Sequence, residues 1–296
     1  MKTKYLSPTE EINKNTADLG CLPVSAMIAK MYEESLRGAA SVISAAPAIE
    51  AAINAAAQAY QKGAKIIFCG AGTSGRLGVL EAAECPPTFS VSPNAFTALI
   101  AGGKKAVFRP AEGAEDDREQ GARDFLKASG KRDLLIAVAA SGNTPYVQGA
   151  LKAAKSKKNK TVLISCNDKA DTKFADIFIY LPTGAEVISG STRLNAATAT
   201  KIALNMITTL AMVRCGKVYK NYMVDVKASN DKLKSRAVRL IRAVAGTTAK
   251  KALSLARETR YNVKAAIVMA KQRKTKSQAE ALLKKHKGFL ERIIDD

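Results

Sequence analysis

Short apolar runs alternate with helical patterns through the middle of the chain. The runs are rich in β-branched and aromatic residues and are predicted to be strands: Lys65–Cys69, Ala95–Ala101, Asp133–Ala140, Thr161–Cys166 and Ile177–Leu181. Stretches with helical periodicity lie between most of them. Continuous apolar strands separated by helices are typical of a parallel sheet with crossover connections. The pattern therefore predicts an α/β fold.

Helical patterns dominate both ends of the chain. Residues Asn13–Ala59 are predicted to be helical, with Gly63 ending the segment, and a long helix is predicted over about Asn195–Arg214. From about Ala228 onward the strand signals stop. These patterns predict an N-terminal helical segment at residues 1–60, an α/β domain at 61–227 and a small helical domain at 228–296.

Two loops after predicted strands combine glycine with hydroxyl side chains. Gly70–Gly75 contains Thr73 and Ser74 and precedes a helix predicted over Arg76–Glu84. Ser141–Thr144 has the same setting, because Pro145 follows it at the opening of another predicted helix. A helix N-terminus beside such a loop directs N–H groups and the positive dipole end at an anion. Both loops are predicted to bind phosphate.

The first loop also has the spacing of a dinucleotide-binding loop. Gly70, Gly72 and Gly75 match G-x-G-x-x-G. However, Val91–Ala101 contains no acidic residue to contact a ribose, and no Lys-Ser/Thr pair follows the last glycine as in a Walker A loop. The context favours a small phosphorylated ligand over a nucleotide.

Two glutamates are candidates for acid–base chemistry. Glu84 precedes Cys85-Pro86-Pro87, and a residue before proline is disfavoured in a helix, so Glu84 is predicted at a helix C-terminus, where a negative charge is unfavourable. Glu115 is predicted in the first turn of a helix, where a negative charge is favourable. A solvated surface carboxylate remains an alternative for each.

Composition limits which side chains can act as acid, base or metal ligand. The five cysteines are scattered, without disulfide or C-x-x-C metal spacing, and the one histidine, His286, lies in a basic segment near the end. Acid–base chemistry therefore falls to carboxylates, lysines or tyrosines, and no metal site is expected. No apolar run approaches the ~18 residues that span a bilayer, and residues 1–15 lack a secretory apolar region. A cytoplasmic protein without a membrane partner is expected.

The net charge of +21 is unevenly distributed. From Lys217 to the end there are 21 lysines and arginines and 7 acids, an excess of 14 positive charges. These cations occur at helical spacing among alanine, leucine and valine, without interleaved aromatic residues. The pattern favours solvated helix faces over a nucleic-acid surface.

Four segments together resemble the N-acetylmuramic acid 6-phosphate etherase family: GAGTSGRLGVLEAAECPPTF, AEGAEDDRE, ASGNTPYV and GSTRLNAATATK. The resemblance spans nearly the whole chain. It implies a sugar isomerase (SIS) fold, a three-layer αβα sandwich with a parallel sheet, acting as a homodimer with no cofactor. It also implies cleavage of the lactyl ether of N-acetylmuramic acid 6-phosphate to N-acetylglucosamine 6-phosphate and D-lactate, in peptidoglycan recycling.

The same resemblance implies catalytic and binding roles for individual residues. It places the family's catalytic acid on Glu84 and its second catalytic glutamate on Glu115. The candidate sugar-phosphate contacts are Thr73, Ser74, Ser141, Asn143, Thr144, Ser191 and Thr192. The chain departs from the family where lysine is usual, at Asn195, and where glycine is usual, at Ala197. Residues Glu11–Asn13 also differ from the family's arginine–asparagine pattern.

Two other functions are compatible with these loops. Glucokinase regulatory protein resembles the etherases and binds sugar phosphates without turnover, but it carries two SIS modules, whereas 296 residues hold one. A sugar-phosphate isomerase on the same fold would need a base but no leaving lactyl group. Fold alone does not decide among the three.

Overall fold

The structure, a computed structural model, describes residues 6–295. The strands are β1 (Ile66–Gly70), β2 (Phe96–Ile100), β3 (Leu134–Val138), β4 (Lys160–Ser165) and β5 (Ile177–Tyr180). The helices are α1 (Val24–Ala40), α2 (Ala46–Gln61), α3 (Gly72–Phe89), α4 (Arg118–Ala128), α5 (Pro145–Ser156), α6 (Asn195–Val213), α7 (Asp231–Ala245), α8 (Ala249–Glu258), α9 (Val263–Gln272), α10 (Lys276–Lys285) and α11 (Glu291–Ile294). Short 3-10 helices include Gly103–Val107 and Ala114–Asp116.

All five strands are parallel, in the order β2-β1-β3-β4-β5, which confirms the predicted parallel sheet. Gly70, at the end of β1, is paired with Ile100 of β2 on one side and with Val138 of β3 on the other. Strands β1 and β3 are buried along their whole length. Burial on both faces explains why each appeared in the sequence as an unbroken apolar run.

Helices cover both faces of the sheet. On one face, Ile67 and Leu135 belong to a buried cluster with Phe125 of α4 and Tyr146 of α5. On the other, α3 packs so closely on β1 that a Cβ added at Gly78 would lie 2.8 Å from the Cβ of Phe68. This is the three-layer α/β/α arrangement expected for the domain.

The chain divides into two compact units. The first comprises residues 1–83 and 93–208, and the second comprises residues 84–92 and 209–296. In the second unit α7 to α11 enclose their own apolar core, which includes Ile241, Leu255, Ile267 and Leu290. The boundaries fall within α3 and α6, so both helices contribute residues to each unit.

Helix α3 is longer than predicted. It begins at Gly72 and continues through Pro86 and Pro87 to Phe89, so the prediction that Glu84 lies at a helix C-terminus is wrong. Each proline removes one N–H from the helical bonding pattern, at a cost of about 3 kcal/mol for an interior position. Cys85 and Phe89, one turn apart on the same face, are both buried, and that burial offsets the loss.

The helix that follows Glu115 begins later than predicted. Glu115 lies in the 3-10 helix Ala114–Asp116, and Asp117 is the N-cap of α4, where its side chain accepts a hydrogen bond from the N–H of Gln120. Glu115 is therefore outside the first turn of α4. The helix dipole acts mainly within that turn, so it favours the charge of Asp117 more than that of Glu115.

No apolar run in the sequence was predicted to be long enough to span a bilayer. The structure corrects this, because two helical stretches, Val24–Gln61 and Asn195–Val213, are long and apolar enough to cross a membrane by length and composition. Of the most apolar window, 33% is buried inside the protein in the first stretch and 50% in the second. Buried core helices pass the same test, so the finding is weak support for a membrane span.

Candidate functional site

The strand order reverses direction between β1 and β3. The chain passes from β1 outward to β2 and then returns to the other side of β1 to form β3. In open parallel sheets, ligands bind in the crevice outside the carboxyl ends of the strands at such a switch point. Both hydroxyl-rich loops follow these two strands, because Gly70 and Val138 are paired at the strand ends. The sheet therefore brings Thr73 and Ser74 to the same edge as Ser141, Asn143 and Thr144.

The N-terminus of α3 offers free donors at this edge. The N–H of Gly75 bonds to the carbonyl of Ala71, so Gly72, Thr73 and Ser74 are the first three helical residues, whose N–H groups have no intrahelical partner. Within residues 6–295 the hydroxyls of Thr73 and Ser74 also have no hydrogen-bond partner. Backbone and hydroxyl donors at a helix N-terminus are suited to binding an anion such as phosphate.

Glycines allow this turn to form. A Cβ at Gly70 would lie 2.6 Å from the N of Gly75, and one at Gly75 would lie 2.7 Å from the O of Gly70 and 2.6 Å from Cγ1 of Ile100. Gly72 has a φ of +51°, which favours glycine. Thus Gly70 and Gly75 are required for the close approach of helix and strand, and Gly72 for the backbone conformation of the turn.

The N-terminus of α6, by contrast, is occupied by the protein itself. The carboxylate of Glu186 accepts hydrogen bonds from the N–H groups of Asn195 at 2.7 Å and Ala196 at 2.9 Å. Burial raises the pKa of this carboxyl, and the two N–H groups partly oppose the rise. Because its first donors are already bonded, α6 is a poorer phosphate site than α3.

The loop after β3 is held by residues that follow β4 and by one residue of α5. Asn167 donates to the carbonyl of Ser141 at 2.9 Å, and the Oδ1 of Asn143 accepts from the N–H of Asp171 at 2.9 Å. Gln148 donates to the carbonyl of Gly142 at 2.7 Å. Asn143 therefore has a structural task in addition to any ligand contact. Ser141 accepts from the N–H of Asn143 at 3.3 Å, which leaves its own O–H free to donate to a ligand.

Glu115 lies in a cavity beside the first turn of α3. The cavity has a volume of about 200 Å³ and is lined by Gly72, Arg76, Glu112 and Glu115 together with small residues of the surrounding loops. Arg76 donates from Nε to the carbonyl of Val107 at 2.9 Å. The structure thus joins a carboxylate, a guanidinium and a helix N-terminus in one pocket, a combination suited to proton removal from an anionic ligand.

The remaining predicted site residues are located elsewhere. Glu84 is exposed and belongs to the second compact unit, whereas Glu115 belongs to the first. Ser191 and Thr192 lie in the connection between β5 and α6, and β3 and β4 separate β5 from β1 in the sheet. That connection is tied to the N-terminal segment, since Gly190 donates its N–H to the carbonyl of Thr9 at 2.9 Å.

Sequence reasoning assigned no role to Glu186, Asn167, Gln148 or Arg76. Glu186 lies nine residues before Asn195, a separation that no local capping pattern uses. Asn167, which follows β4, and Gln148 of α5 both bond to the loop after β3, and these contacts depend on strand order. For Arg76, its position one residue after the glycine loop was a usable signal, because cations near phosphate-type loops commonly contact anions.

The buried thiols are poor nucleophiles. Burial raises the pKa of Cys166, which follows β4, to about 12, and burial also raises the pKa of Cys69. In residues 6–295 no three His, Cys, Asp or Glu side chains are grouped so that they could hold a metal ion.

Comparison with curated proteins finds relatives that match nearly the whole chain. The chain is 45% identical over 288 residues to "N-acetylmuramic acid 6-phosphate etherase 1" from Bacillus licheniformis, covering 97% of this chain and 95% of the relative. It is 46% identical over 285 residues to "N-acetylmuramic acid 6-phosphate etherase" from Cronobacter sakazakii, covering 95% and 96%.

Comparisons of domain and fold give a consistent result. Residues 48–155 match the family described as glucokinase regulatory protein N-terminal SIS domain. The fold is similar to that of a solved protein from Escherichia coli CFT073, with 17% sequence identity and a TM-score of 0.50 over 68% of this chain and 94% of the other. The five-stranded parallel sheet is thus a SIS-type fold.

Proposed function

The chain belongs to the N-acetylmuramic acid 6-phosphate etherase family, and on that premise we propose that it cleaves the D-lactyl ether of N-acetylmuramic acid 6-phosphate. The products are N-acetylglucosamine 6-phosphate and D-lactate. The observation that supports this most directly is the cavity in which Glu115 lies beside the unbonded N-terminus of α3. A sugar phosphate needs an anion site and the elimination needs a base, and the two are adjacent here.

The reaction proceeds through the open-chain sugar. Ring opening exposes the aldehyde at carbon 1, which makes the proton at carbon 2 removable. A base takes that proton, a double bond forms between carbons 2 and 3, and the bond from carbon 3 to the ether oxygen breaks as an acid protonates the departing lactate. Water then adds hydroxide to carbon 3 and a proton to carbon 2, which restores a saturated sugar.

We assign the base to Glu115 and the acid to Glu84. The family resemblance places a catalytic glutamate at each position, and the pocket formed by Glu115, Gly72 and Arg76 suits the residue that faces the activated carbon. Thr73, Ser74, Ser141, Asn143 and Thr144 would bind the sugar phosphate, with Ser191 and Thr192 as further contacts. No cofactor enters any step of this scheme.

One assay separates this function from its alternatives. Purified protein is incubated with N-acetylmuramic acid 6-phosphate, and released D-lactate is measured with a lactate dehydrogenase specific for that isomer. Release that disappears in Glu115→Gln supports the etherase. Binding of sugar phosphates without release would support the regulatory alternative, which the match of residues 48–155 keeps under consideration. Aldose–ketose interconversion without release would support an isomerase.

We further propose that the protein acts as a homodimer in the cytoplasm, in peptidoglycan recycling, without a nucleic-acid or membrane partner. The N-terminal helices of one copy would help to close the site of the other. Helix α1 supports this, because Val24, Ile28, Tyr32 and Leu36 repeat every four residues and are each more than half exposed. An exposed apolar helix face of this kind is suited to a second copy.

A further inference from the structure

Arg76 is a cation in the pocket of Glu115 that the proposed mechanism leaves without a task. It is the fifth residue of α3 and is partly buried. Within residues 6–295 the one hydrogen bond of its side chain runs from Nε to the carbonyl of Val107 at 2.9 Å. That bond fixes the plane of the guanidinium, and the two terminal amino groups stay available to a ligand.

The neighbouring carboxylates do not neutralise this cation. Glu112 and Glu115 line the same cavity as Arg76, but the ion pairs formed in the described part of the chain do not include Arg76. A partly desolvated guanidinium without an anionic partner is unfavourable by itself. Its planar pair of amino groups matches a carboxylate in a bidentate geometry. The cavity is therefore suited to an anion held by Arg76 and lying next to Glu115.

The proposed substrate carries two anions, the phosphate on carbon 6 and the lactyl carboxylate on the ether at carbon 3. Carbon 3 is bonded to carbon 2, the atom from which Glu115 would remove a proton, so the lactyl group lies on the Glu115 side of the sugar. The phosphate is four carbons away from carbon 2 along the chain. It also has other donors, because the hydroxyls of Thr73 and Ser74 do not line this cavity.

Building on the proposed function, we propose that Arg76 binds the carboxylate of the lactyl group. Arg76 then distinguishes the ether substrate from the product N-acetylglucosamine 6-phosphate, which lacks that carboxylate. Holding the carboxylate would also orient the bond between carbon 3 and the ether oxygen relative to Glu115, so that proton removal and lactate departure occur in one geometry.

The test compares two ligands that differ only in the lactyl group. In a Glu115→Gln parent, which prevents turnover, calorimetry measures the affinities for N-acetylmuramic acid 6-phosphate and N-acetylglucosamine 6-phosphate. Adding Arg76→Met should weaken binding of the first ligand by about 10- to 100-fold, the usual range for a hydrogen bond to a charged group, and leave the second within about twofold. Arg76→Lys should give an intermediate loss, since the charge stays but the planar pair does not.

Arg109→Met is the matched control, because Arg109 is an exposed arginine next to the same cavity wall and does not line the cavity. It should change neither affinity. An equal loss for both ligands in Arg76→Met would show that Arg76 binds phosphate or merely supports the loop at Val107, and either result overturns the proposal. Unchanged affinities, or a parent that binds neither ligand, overturn it as well.

The etherase function is tested separately by D-lactate release from the wild-type protein. Wild-type protein that releases no lactate, combined with a loss in Arg76→Met limited to the ligand with the lactyl group, would refute the reaction and retain the carboxylate site. Release of lactate without that selective loss would retain the reaction and refute the site.

Discussion

At the scale of single residues, the two proposed catalytic glutamates differ in their surroundings. Glu115 lies in a pocket with Arg76, whereas Glu84 lies inside α3, in the second compact unit. Glu84 does not occupy the helix C-terminus at which a negative charge would be unfavourable, since α3 continues for five residues beyond it. The proposed roles of acid and base therefore rest on the family resemblance and on the pocket around Glu115.

Hydrogen exchange at carbon 2 distinguishes the two roles. If Glu115 is the base, Glu115→Gln should abolish exchange of that hydrogen with deuterated solvent and lower lactate release by about 10²- to 10⁴-fold. Glu84→Gln should retain part of the exchange while losing lactate release. Mass spectrometry measures the exchange and a lactate assay measures the release. Glu119→Gln is the control, because Glu119 is an exposed residue of α4. The reverse pattern would exchange the roles, and full activity in both variants would exclude the pair.

Loss of a hydroxyl at either loop should weaken phosphate binding. Ser74→Ala and Ser141→Ala should each lower the affinity for N-acetylglucosamine 6-phosphate by about 10-fold, the lower end for a hydrogen bond to a charged group. Ser156→Ala at the end of α5 is the control, since its hydroxyl bonds only to its own helix, at the carbonyl of Lys152. Calorimetry that finds unchanged affinity in both loop variants would refute the phosphate assignment.

Glu186 should make stability depend on pH in a defined direction. Burial raises its pKa above the ordinary value of 4.5, so its contribution to stability is fully present below pH 4.5 and is lost as the pH rises through the higher pKa of the folded state. Glu186→Gln removes this dependence. The difference in unfolding free energy, wild type minus variant, should therefore decrease as the pH increases from about 4.5 to 7. Urea unfolding at several pH values measures this difference in unfolding free energy. A difference that increases with pH would contradict the prediction.

The sequence indicated candidate donors of the site, which stay a prediction, but not the residues that hold their loops in place. Ser74 and Ser141 were singled out because glycine, hydroxyl and helix start fall within six residues of each other. Glu186 and Asn167 act across the fold, through contacts that exist only once the strands are ordered. Patterns of neighbouring residues in the sequence do not report such long-range contacts, which is why the sequence did not indicate them.

At the scale of elements, the ends of the strands were predicted to within two residues, because buried parallel strands are continuous apolar runs. The end of α3 was missed for a different reason. The steric rule for prolines is local, but Cys85 and Phe89 gain burial only if the helix continues through Pro86 and Pro87. Tertiary packing overrode the local preference at that point.

Glycines set the approach of α4 to α5. A Cβ at Gly121 would lie 1.9 Å from the carbonyl oxygen of Tyr146, and one at Gly149 would lie 1.9 Å from that of Arg118. Alanine at either position would push apart the two helices that follow the Glu115 loop and the Ser141 loop.

Gly121→Ala or Gly149→Ala should therefore destabilise the protein by about 1–3 kcal/mol, although alanine favours helices by up to about 1 kcal/mol. Chemical denaturation measures the effect. Gly20→Ala, where an added Cβ has no neighbour within 4 Å, is the control and should be near neutral. Wild-type stability in both helical variants would show that the helices separate without cost.

At the scale of the whole molecule, the proposed homodimer should depend on the exposed face of α1. Ile28 and Tyr32 are each 64% exposed, and Val24 and Leu36 continue the same stripe. Ile28→Glu combined with Tyr32→Glu places two negative charges on that face. If the face packs against a second copy, burying these charges is prohibitive, and the variant should be a monomer.

Analytical ultracentrifugation at the concentration of the lactate assay measures both properties under the same conditions. The double variant should sediment as a monomer and lose most of its lactate release, because the neighbouring copy would no longer close the site. Ser25→Glu, at an exposed polar position of the same helix, is the control and should remain a dimer with full activity. A fully active monomer, in the variant or in the wild type, would refute the claim that one copy completes the site of the other.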